Sequence, residues 1–211
     1  MRVILIGPQG AGKGTQARRL AEKTGARVIA TGDMVRAEIN SGSELGRRVK
    51  EYNDRGELVP DEIIVEMAKP HLGAPEGWVL DGFPRNEAQA QALDEVLAEL
   101  GVEIDRVVAL EAPDEVLVER LSGRRQSRAT GRMYHVVYDP PPENSEEDPG
   151  PFVQRADDTE EAIRRRLEIY HEQTEPLKRY YEQRGLLAEV DATRSIPEVT
   201  EQVMQAVGER A

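Results

Sequence analysis

The chain has 211 residues, enough for one well-buried core and too few for two full-sized domains. Its formal net charge of −12 argues against nucleic acid or an anionic membrane as a partner, because both bind a basic face. It contains no Cys, which excludes a disulfide framework and a thiolate metal site. These features favour a cytoplasmic protein without nucleic-acid or membrane partners, and we expect a monomer.

Short apolar runs with strand character alternate with helical patterns along the chain. Such alternation is typical of an α/β fold in which helices cover both faces of a parallel sheet. We predict five strands, at residues 3–6, 27–30, 78–80, 106–110 and 186–190.

Two stretches depart from this alternation. Residues 31–59 indicate a small helical excursion between two strands. Residues 123–158 are too rich in Gly and Pro for a helix and too long for a simple connection, so we interpret them as a second excursion. The pattern at 157–184 predicts one long helix, bent near Pro176. The predicted core then comprises residues 1–30, 60–122 and 159–211.

The clearest motif is Gly-Pro-Gln-Gly-Ala-Gly-Lys-Gly-Thr at residues 7–15, between the first strand and the first helix. Glycines let successive backbone N–H groups surround an anion, and the helix N-terminus adds its dipole. Lys13 would bring a positive charge to the β- and γ-phosphates, and the hydroxyl of Thr15 could lie near Mg²⁺. The general pattern has Ser or Thr directly after the Lys, whereas this chain has Gly14. The motif predicts a phosphate-binding P-loop.

Three other interpretations compete with a nucleotide-dependent phosphotransferase. A plain strand-to-helix turn needs neither several glycines nor a Lys. A dinucleotide-binding oxidoreductase fits the weak fingerprint of Gly12, Gly14 and Ala17, but the Lys and the downstream arginines have no role in hydride transfer. A regulatory GTPase would need an Asn-Lys-x-Asp guanine motif, which the sequence lacks.

A carboxylate and a guanidinium follow the third predicted strand, at Asp81 and Arg85. Ligands of open α/β sheets bind at this edge, where an Asp beside a P-loop holds the waters of Mg²⁺. Asp81 could instead cap the following helix, and the two roles are compatible.

The motifs resemble those of the adenylate kinase family. The resemblance rests on the P-loop, on Thr-Gly-Asp-Met-Val-Arg at 31–36 and on Asp-Gly-Phe-Pro-Arg at 81–85. It continues through Gly-Arg-Arg at 123–125, Gly-Arg-Met-Tyr-His at 131–135 and Arg-x-Asp-Asp at 155–158. The motifs occur in family order and cover essentially the whole chain. By this resemblance, residues 31–59 form an NMP-binding flap for AMP, residues 123–158 form a lid, and the rest is a P-loop NTPase core.

The resemblance also implies a role for each matching residue. ATP would be bound by Gly10, Ala11, Gly12, Lys13, Gly14, Thr15, Arg120, Arg124, Met133, Tyr134 and Arg194. AMP would be bound by Thr31, Arg36, Glu57, Leu58, Val59, Gly82, Phe83, Pro84, Arg85, Gln89, Arg155 and Arg166. Catalysis would rest on Lys13, Arg85, Arg124, Arg155 and Arg166, and Mg²⁺ would be held through water by Asp33, Asp81 and Thr15.

The choice of acceptor base depends on Gln89, whose amide can donate and accept at once and so match the amino group and N1 of adenine. In the related UMP/CMP kinases this position is typically Asn, and another Asn follows the Arg. This chain has Asn86, as they do, but keeps Gln89 and Thr31. We therefore expect the reaction ATP + AMP ⇌ 2 ADP by direct in-line transfer. The alternative is a kinase for another base, such as a GTP:AMP or UMP/CMP kinase, and Ala192 at a usual Gly position could loosen the choice at the ATP site.

Some members of the family staple the lid with zinc bound by two Cys pairs. The corresponding positions here are Ser127 and Thr130, followed by approximately Ser145 and Asp148. Oxygen-only ligands of this kind make a poor structural zinc site. We expect no zinc, and a lid held in shape by hydrogen bonds among Ser127, Thr130 and Asp148. The alternative is a solvated loop without such a network.

Overall fold

A computed structural model describes residues 1–54, 59–143, 145–155 and 158–208. The predicted AMP-binding residues Glu57 and Leu58, and Asp157 of the Arg-x-Asp-Asp motif, lie outside the described residues.

The centre of the molecule is a five-stranded parallel sheet, as predicted. Its strands are β1 (Arg2–Ile6), β2 (Arg27–Ala30), β3 (Trp78–Asp81), β4 (Arg106–Glu111) and β8 (Leu187–Asp191), in the order β2-β3-β1-β4-β8. Every neighbouring pair runs parallel; Ile4, for example, is in register with Leu80 on one side and Val107 on the other. The last strand begins one residue later than predicted.

The two faces of the sheet are covered by separate apolar clusters. Val3 and Leu5 point into one cluster and Ile4 and Ile6 into the other, because successive side chains of a strand alternate between faces. The first face is covered by α1 (Lys13–Thr24), α6 (Asp114–Ser122), α7 (Glu160–Ile169) and α9 (Ile196–Gly208). The second is covered by α4 (Asp61–Leu72), α5 (Glu87–Leu100) and α8 (Leu177–Glu182). Within the described residues, no helix combines the length and apolarity needed to cross a membrane.

The first excursion contains two helices, α2 (Thr31–Ser41) and α3 (Glu44–Asp54). Val49 of α3 is fully buried in a small third cluster with Ile63 and Met67 of α4. The excursion is thereby packed against the helix that leads back into the core.

The second excursion forms a small antiparallel sheet in the order β6-β5-β7. Its strands are β5 (Arg124–Ser127), β6 (Met133–His135) and β7 (Phe152–Val153). The roles of the two excursions as an NMP-binding flap and a lid stay predictions.

The prediction of one long helix near the C-terminal end is wrong, because the helix is interrupted. After α7, residues Tyr170–Thr174 form a π-helical turn, in which the N–H of Glu175 donates to the carbonyl of Tyr170 at 2.9 Å. Pro176 then occupies the N-cap of α8. Proline has no N–H and its ring crowds the preceding turn of an α-helix, so the hydrogen-bond ladder is interrupted where the bend was expected.

Candidate active site

A cleft of about 1230 Å³ opens at the carboxyl ends of the parallel strands. Its floor includes the P-loop after β1, Thr31 after β2, Asp81 at the end of β3 and Ala192 after β8. Residues from both excursions complete its walls. The volume exceeds the 300–1000 Å³ of ordinary small-molecule sites, so it is large enough for more than one ligand.

The P-loop is shaped by glycine backbone conformations. Gly12 forms the N-cap of α1 with φ of 92°, in the left-handed region that a side chain disfavours. The Nζ of Lys13 donates to the carbonyls of Gly7 and Pro8, at 2.7 and 2.8 Å. Lys13 thus lies across the loop at the N-terminus of α1, where the helix dipole favours an anion.

The surroundings of Lys13 disfavour its charged form. Burial lowers the pKa of Lys13 to about 8; the carboxylate of Asp81 opposes this shift, and the guanidiniums of Arg85 and Arg124 add to it. Three cations that line the cleft are therefore close enough to repel one another. Such an arrangement is stabilised by a multiply charged anion.

Asp81 lies directly over the loop. A Cβ atom on Gly14 would come within 3.2 Å of the Oδ2 of Asp81, so the glycine allows the carboxylate to approach the P-loop backbone. Thr15 lines the same part of the cleft. Asp33 also lines it, with its carboxylate in an ion pair with Arg36. One carboxylate and one hydroxyl suit Mg²⁺, which keeps most of its waters and needs few protein ligands.

At the other end of the cleft, the start of α5 is fixed by hydrogen bonds. Gln89 is buried, and its Oε1 accepts the backbone N–H of Arg85 at 2.7 Å. The Nε of Arg85 donates to the carbonyl of Gly82 at 2.7 Å. The hydroxyl of Thr31 donates to the same carbonyl at 3.1 Å. The Asp-Gly-Phe-Pro-Arg segment is therefore tied both to α2 and to α5.

Two further arginines of the cleft share one carboxylate as their partner. Arg124 donates to the buried carboxylate of Asp158 through Nε at 2.8 Å and Nη2 at 2.5 Å, and Arg166 donates to it at 3.2 Å. Both guanidiniums line the cleft and keep about a fifth of their side-chain surface exposed. One carboxylate thus holds two guanidiniums of the cleft, Arg124 by a forked pair of hydrogen bonds and Arg166 by a single one.

Comparison of the sequence with known proteins identifies a family. The family model described as Adenylate kinase matches residues 5–186. The chain belongs to the adenylate kinase family. It is 47% identical to the adenylate kinase of Caldicellulosiruptor saccharolyticus over 99% of both chains, and 47% identical to that of Archaeoglobus fulgidus over 96% of both. The adenylate kinase of Fusobacterium nucleatum is 42% identical over 99% of both chains.

Most residues that the resemblance to adenylate kinases implied for the site meet in this one cleft. The lining includes Gly10, Ala11, Gly12, Lys13, Gly14, Thr15, Thr31, Asp33, Arg36, Val59, Asp81, Gly82, Pro84, Arg85, Gln89, Arg120, Arg124, Met133, Tyr134, Arg155, Arg166 and Arg194. Of the predicted residues that the structure describes, Phe83 does not line the cleft, because its side chain is 1% exposed and packs in the core. Its part in holding AMP stays a prediction.

Three arginines to which the resemblance assigns no role have partners outside the site. Arg164 pairs with Glu160 and Glu115, and Arg165 pairs with Glu168. Arg125, next to Arg124, turns back to backbone carbonyls. Arg124 and Arg166 line the cleft whereas these neighbours do not, so position and not residue type distinguishes them.

The polar network predicted for the lid is present, and that prediction is confirmed. Asp148 is buried and accepts from the hydroxyls of Ser127 at 2.5 Å, Thr130 at 2.7 Å and Tyr134 at 2.8 Å. Burial alone would raise the pKa of Asp148, but these hydrogen bonds outweigh it and lower the pKa to about 2. The hydroxyl of Ser145 accepts the backbone N–H of Asp148 at 3.2 Å. The four positions that the sequence analysis aligned with a zinc site, Ser127, Thr130, Ser145 and Asp148, thus belong to one hydrogen-bonded unit.

Three contributors to the cleft were missed by sequence reasoning. Asp61 bonds to Gln89, Tyr138 bonds to Glu119 at the lid edge, and Thr174 donates to the carbonyl of Arg85 at 2.7 Å. None of them stands in a motif. For Thr174, the Pro that follows shortly after was the available signal, because an interrupted helix often marks a functional position.

Proposed function

We propose that this chain transfers the terminal phosphoryl group of ATP to AMP, giving two ADP in a reversible reaction. The observation that carries the proposal is that Lys13, Arg85, Arg124 and Arg166 line one cleft together with the P-loop and Gln89, and that the charges of Arg85 and Arg124 act on Lys13. ATP would lie with its phosphates on the P-loop, and AMP would lie between α2 and the start of α5. Family membership supports the same pairing of substrates.

The reaction needs no protein nucleophile. The two nucleotides are held with the attacking and leaving oxygens in line, and the charge that spreads over the equatorial oxygens is stabilised by preorganised cations. Lys13 would hold the β- and γ-phosphates of ATP. Arg124 and Arg166 would contact the phosphoryl group during its transfer, and Arg85 would hold the phosphate of AMP. The lid residues 123–158, as predicted from the sequence, would exclude water, which otherwise competes with AMP as acceptor.

Mg²⁺ belongs to this proposal as the partner of ATP. Asp81 and Thr15 would hold it through water, and Asp33 is the further residue that the family resemblance implies. When bound, the ion neutralises charge on the β- and γ-phosphates. Zinc is not part of the proposal, because hydroxyls and a carboxylate occupy the staple positions. Metal analysis of the purified protein should find less than one equivalent of zinc, and a chelator followed by restored Mg²⁺ should leave the melting temperature unchanged.

Asn86 does not favour a UMP/CMP kinase. Its Oδ1 caps α5 by accepting the backbone N–H of Gln89 at 2.8 Å, and its Nδ2 donates to Asp61 at 3.1 Å. The oxygen and the nitrogen of this amide therefore both make hydrogen bonds that hold the start of α5.

The proposed function is tested by a coupled assay with ATP fixed and AMP, CMP, UMP or GMP offered as acceptor. We expect AMP to be preferred by at least about tenfold in kcat/KM. Equal use of AMP and CMP or UMP would overturn the proposal. A second series with GTP in place of ATP reports whether Ala192, buried beside the cleft, leaves the donor site strict. The sequence also supports a cytoplasmic monomer, which gel filtration and fractionation would test.

A further inference from the structure

The carboxylate of Asp61 lies between two side-chain amides at the AMP end of the cleft. Its Oδ1 accepts from the Nε2 of Gln89 at 2.5 Å, and its Oδ2 accepts from the Nδ2 of Asn86 at 3.1 Å. Asp61 is the first residue of α4, whereas both amides stand at the start of α5. The carboxylate thus joins two helices that are separated by β3 in the sequence.

These contacts fix which way the amide of Gln89 faces. Its Oε1 accepts the backbone N–H of Arg85, and its Nε2 donates to Asp61. A reversed amide would set N–H against N–H at Arg85 and oxygen against a carboxylate at Asp61. Because Gln89 is 94% buried, water cannot readily replace either bond. The amide therefore has one permitted orientation.

A Gln amide has two N–H donors and two acceptor lone pairs, so one of each remains for a ligand. A freely turning amide can match either of two base edges. Adenine presents an acceptor at N1 beside an amino donor, whereas hypoxanthine presents an N–H donor at N1 beside a keto acceptor, with nearly the same shape. Only the direction of the amide distinguishes them.

We propose that Asp61 is a positioning residue for acceptor selectivity: it holds Gln89 in the orientation that accepts an amino-bearing purine and rejects its keto counterpart. This inference rests on the proposed function, in which Gln89 faces the base of AMP. The second bond, from Asn86, keeps the carboxylate in place without contacting the base. Asp61 acts through Gln89 and is not itself a catalytic residue.

The test compares AMP with inosine monophosphate as acceptor in the full chain. Asp61→Asn and Asp61→Ser each remove the carboxylate that opposes amide reversal. We expect the ratio of kcat/KM for AMP to that for inosine monophosphate to fall by about tenfold or more, the scale of one hydrogen bond to a charged group. Glu62→Gln removes an equal charge from the next, exposed residue of α4 and should keep the ratio of the unmodified protein.

The outcomes distinguish a failure of this inference from a failure of the proposed function on which it rests. If the unmodified protein prefers a keto-bearing acceptor to AMP, the proposed function fails first. If it prefers AMP and the Asp61 variants lose both acceptors equally, Asp61 is only structural and the inference is wrong. Should neither variant fold, hydrogen exchange in the unmodified protein decides. One Nε2 proton of Gln89 must exchange slowly with water, and exchange of both as in free glutamine would overturn the proposal.

Discussion

Arg124 donates two hydrogen bonds to the carboxylate of Asp158, through Nε and Nη2. The Asp158 side chain has no exposed surface, whereas the guanidinium keeps a part of its surface toward the cleft. A forked pair of this kind fixes both the position and the plane of the guanidinium. The same carboxylate also holds Arg166, so two of the proposed catalytic cations depend on one anion.

The first prediction concerns this shared anion. Asp158→Asn replaces an acceptor oxygen by an N–H group that repels a guanidinium, so Arg124 and Arg166 lose their common orientation. We expect kcat to fall by at least about tenfold with a smaller change in KM for ATP, because small misplacements at the reacting group are costly. Steady-state kinetics with both substrates varied measures this split. Glu160→Gln, at an exposed ion pair of the same helix region, should change neither constant; an unchanged kcat in Asp158→Asn would remove Asp158 from the site.

The second prediction distinguishes a fork from a point charge at Arg85. Lys13→Ala and Arg85→Ala should each lower phosphotransfer by at least about 10²-fold, the scale of one preorganised electrostatic contact. Arg85→Lys should fail nearly as badly, since an ammonium cannot make the planar forked contact. The coupled assay on folded, purified variants measures the rates. Near-normal turnover by Arg85→Lys would contradict a forked contact with phosphate.

The third prediction follows from the pKa of Lys13, which burial lowers to about 8. In the protein without nucleotide, the cation is lost above this pH, so kcat/KM for ATP should decline above about pH 8. Bound phosphates favour the cation, so kcat at saturation should decline only at higher pH. The pH dependence of stability has the opposite sign to that of kcat/KM. An unfolded Lys titrates near about 10.4, so between the two values the unfolded chain binds more protons and the free energy of unfolding rises with pH.

Lys13→Arg is the matched control for this profile. Its guanidinium remains charged throughout the range, so the alkaline decline in kcat/KM should disappear even if the overall rate is lower. A decline that persists unchanged in Lys13→Arg would assign it to another group.

The fourth prediction concerns the lid network. Because the hydrogen bonds of Asp148 lower its pKa to about 2, its contribution to stability is complete above the unfolded pKa of about 3.9 and is lost as pH falls toward 2. Asp148→Asn should therefore lower the melting temperature at pH 7 and flatten the acid unfolding curve between about pH 4 and 2. Thr130→Ala, which removes one donor, should have the same sign and a smaller effect. Glu147→Gln, an exposed neighbour, should leave the melting temperature unchanged, and an equal loss in that variant would refute a specific network.

The sequence predicted most of the sheet because its strands are apolar and continuous. β1, β3 and β4 are buried on both faces, and this leaves a clear local pattern. β5 was not predicted, because Arg-Arg-Gln-Ser has low β-propensity and no alternation. It is a strand only because β6 and β7 pair with its two edges.

The candidate site, like the sheets, was predicted only in part. The P-loop and Arg85 were evident because their residue types and spacing are local properties of the chain. The roles of Asp61 and Asp158 depend on contacts with Gln89, 28 residues away, and with Arg124, 34 residues away. A lone acidic residue near a helix start has no spacing that reveals such a partner, since the fold alone decides which side chains meet.

The π-helical turn makes the length of one segment as important as its composition. The turn carries Thr174 to the carbonyl of Arg85, although His171, Glu172 and Gln173 within it are exposed. Deleting a single residue there would close the wide turn into an α-helical one and change the backbone path between α7 and α8. Thr174 would then leave Arg85, or α8 would leave its place on the sheet. We therefore expect related sequences to vary at the exposed positions 171–173 while the length of the segment stays constant, so that an alignment gap here would indicate an altered acceptor site.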